Sequence, residues 1–305
     1  VDAETGYPNL AKWAKIFTTG IVFDPLRVRQ CAKKLASDAS ERKRDGCIVA
    51  TTALNSMVNQ QNTNAYMCDE LVLEKFHENV AKICETHPEE VVKKLEEVRS
   101  ALFSRGVNAH FLCNVDLIDD KLFNHYQWDF VETGFGKAEK FMGKAGESVD
   151  MDFVGRQKVL GVGGSESSFI YQTCTMDCDW MSEELVPTML FTQYLSQCEG
   201  ETPFYTPTFC HIGDTLQSAI VCLGPLWRGI RGDGLAYGAN IYTRYERRII
   251  FLSLYRCAQP VEAYERTKKI VNDVLKSGNV VESEFEAAKR SLICEMMQCE
   301  ETLEI

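Results

Sequence analysis

The chain's 305 residues are 45% hydrophobic and 25% charged, enough apolar material for ordinary cores, and at about 150 residues per domain the length predicts two domains. Thirty-three Lys and Arg against 44 Asp and Glu give a formal charge of −11, a field that repels phosphate backbones and anionic headgroups. Composition therefore speaks against a disordered chain and against nucleic-acid or membrane-surface partners.

Asp24-Pro25 reads as an N-cap with proline at the first helical position, and Leu26, Val28, Ala32, Leu35 and Ala39 repeat at a helical period up to Gly46. Cys47 to Val58 is again helix-like, and the polar run Asn59 to Asn64 breaks the pattern. A third helix is predicted over Cys68 to Cys84. His87-Pro88 interrupts it, and Val91, Leu95, Val98 and Leu102 restart a stripe that Gly106 ends. Beyond the glycine, Val107, Ala109, Phe111, Cys113 and Val115 alternate with Asn108, His110, Leu112 and Asn114, the pattern of a half-buried strand. Gly134, Gly136, Gly143, Gly146 and Gly155, set among charges, place a linker over residues 133–157, between domains at 1–132 and 158–305.

Val159 to Val162 and Phe169 to Thr173 read as strands around Gly163-Gly164-Ser165, and Ser182 caps a helix running through Leu185, Met189 and Leu190 to about Cys198. Strands follow at Ala236 to Thr243 and Arg248 to Cys257, joined by Arg244-Tyr245-Glu246-Arg247. Pro260 opens a helix to Lys276, and a last helix runs from Glu282 to about Leu303. With no regular βα alternation, the expected fold class is α+β, with antiparallel or mixed sheets backed by helices.

The longest strongly apolar run, Ile249 to Tyr255, is about a third of the ~20 residues that cross a bilayer. The opening Val1-Asp2-Ala3-Glu4 has no initiator Met and no features of a secretory signal, so the start reads as cut. Thirteen cysteines, an odd number spread along the chain, read as reduced, mostly buried thiols of an intracellular protein. The cytoplasm is the expected compartment, with the mitochondrial matrix as the alternative.

Hydrolytic zinc needs three protein ligands, and on a helix an i, i+4 histidine pair sets two of them on one face. The five histidines, His77, His87, His110, His125 and His211, form neither H-E-x-x-H nor H-x-x-E-H. His110 and Cys113 are three apart on a predicted strand and face opposite ways, and the pairs Cys174/Cys178 and Cys294/Cys299 lack C-x-x-C spacing. No G-x-S-x-G elbow occurs, and Gly161-Val162-Gly163-Gly164-Ser165 lacks both the lysine of a P-loop and the third glycine of a dinucleotide fingerprint. No metal or cofactor is expected on this chain.

The informative segment runs from Gly224 to Gly238, a helix end, a glycine loop and a strand start with Arg231 and Tyr237 on either side of the loop. A guanidinium and a phenol held together can donate hydrogen bonds to a peptide carbonyl and to the oxyanion that develops on it, although they cannot supply a nucleophile. By residue type alone, an Arg and a Tyr six apart are more often a surface charge and a sheet aromatic.

Pro225-Leu226-Trp227-Arg228-Gly229-Ile230-Arg231-Gly232-Asp233-Gly234-Leu235-Ala236-Tyr237-Gly238 resembles the C-terminal signature of the pitrilysin/insulinase family of zinc metallopeptidases, in its presequence-protease-like branch. The resemblance extends through Asn240 to Glu301 and, more loosely, through Val159 to Gly200, Ile21 to Pro25 and Lys43 to Gly46. It implies two α/β-roll domains, the first with a truncated start, and the half of a clamshell that lacks the zinc motif. It further implies that Arg231 and Tyr237, on a loop supported by Gly232, Gly234 and Gly238, contact the substrate carbonyl. Zinc, on H-x-x-E-H, would belong to the N-terminal half of the same enzyme, which with a peptide substrate is the implied partner.

One departure is Glu201 to Leu223, which lies where the family has a short connection between helices. Such an insert could displace the Arg231 loop or loop out harmlessly, since closure entropy grows slowly with length. It could equally be a retained non-coding segment, which a transcript joining Gly200 to Pro225 would reveal. The expected function is the substrate-clamping half of a zinc metalloendopeptidase, inactive alone; the alternative is a catalytically silent pitrilysin-like binding or assembly protein.

Overall fold

A computed structural model of the chain describes residues 9–104, 149, 151–178, 181–196 and 224–300. The chain divides into two compact units, each discontinuous in sequence: residues 1–39, 72–143 and 297–305 form one, and residues 40–71 and 144–296 form the other. The predicted linker over 133–157 and the predicted strand at Val107 to Val115 lie largely or wholly outside the described residues.

The described part of the first unit is helical. It contains α1 (Leu10–Thr18), most of α2 (Pro25–Arg42), α5 (Glu70–Thr86) from residue 72, and α6 (Pro88–Phe103). Asp24 caps α2 by accepting from the Leu26 N–H at 3.1 Å, with Pro25 at the first helical position as its sequence predicts. Arg29 and Lys33 on α2 both meet Glu85 on α5. On α6, Arg99 donates to the Ile21 carbonyl at 2.6 Å, and its guanidinium lies 5.0 Å from the Phe23 ring, which holds the approach to α2 in place.

The second unit is built on a three-stranded antiparallel sheet of β1 (Ser168–Thr175), β2 (Ala236–Arg244) and β3 (Ile249–Cys257) in the order β1-β3-β2. The fold class is α+β. As the central strand, β3 is buried on both faces, with Leu254 turned to one core and Ile249 and Phe251 to the other. The Leu254 side gathers Leu195 from α7 (Leu185–Ser196), Leu226, Ile230, Ala263 from α8 (Pro260–Ser277) and Ala288 from α9 (Glu282–Glu300). The opposite face packs on Leu54 and Val58 from α3 (Gly46–Val58) and on Phe153. Asp45 caps α3 through the Cys47 and Ile48 N–H groups, and the Cys47 thiol lies 2.9 Å from the Tyr171 hydroxyl on β1. A four-residue helix, α4 (Asn64–Met67), sits where the polar run ends.

The last residue of α7 makes a specific joint with the sheet. The Ser196 hydroxyl donates to the Ile241 carbonyl at 2.7 Å and accepts from the Ile241 N–H at 2.5 Å, so the helix end ties down the outer edge of β2.

The structure corrects two expectations. Val159 to Val162 is not a strand: Val159 is 96% exposed, and among the described residues the segment has no partner edge to take its backbone groups. Of the eight cysteines described as free thiols, only Cys84, Cys178 and Cys257 are buried; Cys47 is half-buried, and Cys31, Cys68, Cys174 and Cys294 are exposed, against the expectation of mostly buried thiols. No helix among the described residues is long and apolar enough to cross a membrane.

Candidate functional site

The Gly224 to Gly238 segment enters the sheet through a single π-helical turn, Trp227–Arg231, closed by the Gly232 N–H donating to the Trp227 carbonyl at 3.0 Å. Apolar residues hold the turn in place. Leu226 and Ile230 are completely buried in the larger core, and the Leu235 N–H reaches back to the Ile230 carbonyl at 2.9 Å. Two of the three predicted loop glycines have a backbone reason to be glycine. A Cβ on Gly232 would stand 2.4 Å from the Arg228 carbonyl oxygen, and Gly234 has a φ of +72°. At Gly238 a Cβ would meet Tyr255 at an ordinary 3.6 Å, so packing alone does not demand glycine there.

The turn brings the two predicted contact residues together. The guanidinium carbon of Arg231 lies 4.5 Å from the Tyr237 ring centroid and 5.0 Å from that of Trp227, so the cation is within cation–π distance of both rings. Tyr237 is 49% exposed and meets the Tyr255 ring edge-on at 6.3 Å. Among the described residues, the Arg231 side chain has no ion pair or hydrogen bond, and the Tyr237 hydroxyl has no hydrogen-bond partner.

The neighbouring charges are engaged elsewhere. Asp233, two residues from Arg231, is paired with Arg266 on α8 at 3.1 Å. Arg228 forks onto Glu284 on α9 at 2.6 and 3.2 Å, and Glu284 also receives the Tyr194 hydroxyl at 3.4 Å. Burial, above all, pushes the Tyr194 phenol above its usual range. The nearby carboxylates Asp233 and Glu284 are thus paired with Arg266 and Arg228, and half-buried Arg231 keeps two aromatic rings as its neighbours.

Sequence reasoning named Arg231 and Tyr237 but passed over Trp227. The signal was present in the spacing, since residues four apart on a helical turn share a face. The partners Glu284 and Arg266 are far away in sequence and carry no local mark.

No three His, Cys, Asp or Glu side chains among the described residues gather into a group able to hold a metal ion. His77 and His87 are described, whereas His110, His125 and His211 lie outside the described residues. The resemblance places zinc in the N-terminal half rather than on these residues.

No family model matches the chain. An uncharacterized protein of Caenorhabditis elegans is 53% identical over 299 residues, which cover 97% of this chain and 28% of that protein. An uncharacterized protein of Saccharomyces cerevisiae is 25% identical over 272 residues, covering 88% of this chain and 25% of that protein. The chain therefore spans about a quarter of the length of the curated relatives it matches.

Proposed function

We propose that the chain belongs to the substrate-clamping, zinc-less C-terminal half of a pitrilysin-type metallopeptidase, with Arg231 and Tyr237 holding the carbonyl of an extended peptide. One observation carries this reading: a cation without a carboxylate partner among the described residues stands 4.5 Å from a half-exposed phenol on one glycine-bounded turn. With the guanidinium within cation–π distance of two rings, its N–H groups are donors available to a ligand, and the phenol O–H is a second donor nearby. Two such donors bind a peptide carbonyl, orient it and stabilise charge that develops on its oxygen. Bond cleavage would need the N-terminal half of the same enzyme, where the family holds its zinc.

A chain charge of −11 suits basic peptides as the substrate class. Free thiols, several of them exposed, suit a reducing compartment, which we take to be the cytoplasm, with the mitochondrial matrix as the alternative.

The test is kinetic. In the polypeptide that joins both halves, Arg231→Ala and Tyr237→Phe each lower kcat/KM for a peptide by roughly ten- to a thousand-fold, the effect of losing an oxyanion donor. Unchanged turnover in both variants removes the assignment. A complete reading frame without H-x-x-E-H would favour the silent binding or assembly module instead.

A further inference from the structure

Trp227 presents an anomaly beside the site. Its indole Nε1–H is buried and has no acceptor among the described residues. A donor taken out of water without a partner costs stability and returns nothing, so the position does not use the polar end of this side chain. What it uses is the ring. Residues 227 and 231 begin and end the same π-helical turn, and the Arg231 guanidinium lies 5.0 Å from the Trp227 ring and 4.5 Å from the Tyr237 ring. A long arginine side chain with neither an ion pair nor a hydrogen bond among the described residues would otherwise sample many rotamers, all of which a ligand would have to freeze.

We propose that Trp227 is a positioning residue for Arg231: with Tyr237 it forms a two-ring clamp that fixes the guanidinium plane before any ligand arrives and leaves only its N–H edges to bind. A planar acceptor such as a peptide carbonyl or a carboxylate suits that edge. The identity of the ligand rests on the peptidase reading above, whereas the clamp does not.

The two can be tested separately. In the 305-residue chain labelled with 15N-arginine, the Arg231 Nε–H signal is identified by its loss in Arg231→Lys. Ring currents from both aromatics displace it, so Trp227→Leu moves it toward the position of a free arginine and Trp227→Phe moves it by a smaller amount. An unmoved signal in Trp227→Leu overturns the clamp. Should that variant fail to fold, a Trp227→Phe signal identical to the wild type overturns it equally.

In the two-half polypeptide, Trp227→Leu lowers kcat/KM about as much as Arg231→Ala, by roughly ten- to a thousand-fold, and Trp227→Leu combined with Arg231→Ala falls no further. Losses that multiply would show that Trp227 acts by some route other than Arg231 and would end the positioning role. Full activity in both Arg231→Ala and Tyr237→Phe, with the Arg231 signal of the unsubstituted chain displaced, would instead sink the peptidase reading and leave the clamp standing.

Discussion

Arg228 and Glu284 meet through two hydrogen bonds, at 2.6 and 3.2 Å, and this fork ties the turn that carries Arg231 to α9. The Glu284 side chain is 14% exposed and the Arg228 side chain 46%, so the pair is partly screened by water. Glu284→Ala and Arg228→Ala should each cost about 1 kcal/mol in urea denaturation, and the double variant should fall short of their sum. Fully additive losses would show that the two side chains do not support one another.

Gly232 and Gly234 should resist substitution for different reasons. Alanine at 232 puts a methyl against the Arg228 carbonyl oxygen, which must shift, for a cost of roughly 2 kcal/mol. Alanine at 234 meets only the left-handed backbone penalty of about 1 kcal/mol, because the space around it is open. Melting temperatures of the two variants should therefore differ, with Gly232→Ala the lower.

Alkaline stability should bear the mark of Cys257. Burial raises its thiol from 9.0 to about 11. Between these values the unfolded chain has lost a proton that the folded chain keeps, so stability falls as pH rises through the window. The loss attributable to this thiol is on the order of 2 kcal/mol and should be absent from the pH profile of Cys257→Ala. A variant profile parallel to the wild type across that range would refute the assignment.

The 305-residue chain by itself should neither hydrolyse peptides nor bind zinc stoichiometrically. Calorimetric titration with zinc and a peptide digest with and without chelator measure both. Tight one-to-one zinc binding together with chelator-sensitive cleavage would overturn the division of labour proposed above.

Much of the helical framework was legible because helix ends are written locally. Asp24-Pro25 and His87-Pro88 fix boundaries through a side-chain cap or a missing N–H, and the hairpin around Tyr245 to Arg247 closes between two apolar runs. Leu10–Thr18 carries no such mark, since Asn9 makes no side-chain capping bond. Val159 to Val162 misleads for the opposite reason: β-branched residues suggest a strand, but strand formation depends on a partner that local sequence does not specify. At the site, the resemblance of Pro225 to Gly238 to a family signature singled out Arg231 and Tyr237, because their types and spacing alone read as a surface charge and a sheet aromatic. The ring behind the arginine depends on a π-helical turn set by the burial of Leu226 and Ile230, a tertiary effect.

The joint between Ser196 and Ile241 has a further consequence for how these molecules behave at high concentration. Among the described residues β2 is the outermost strand, and such a strand offers its main-chain groups to any extended segment that comes near, a common start for fibril growth. Here one hydroxyl occupies both the N–H and the C=O of Ile241 midway along β2, so an incoming strand meets a blocked rung. Intermolecular zippering along that border is thereby interrupted at its centre by a single serine.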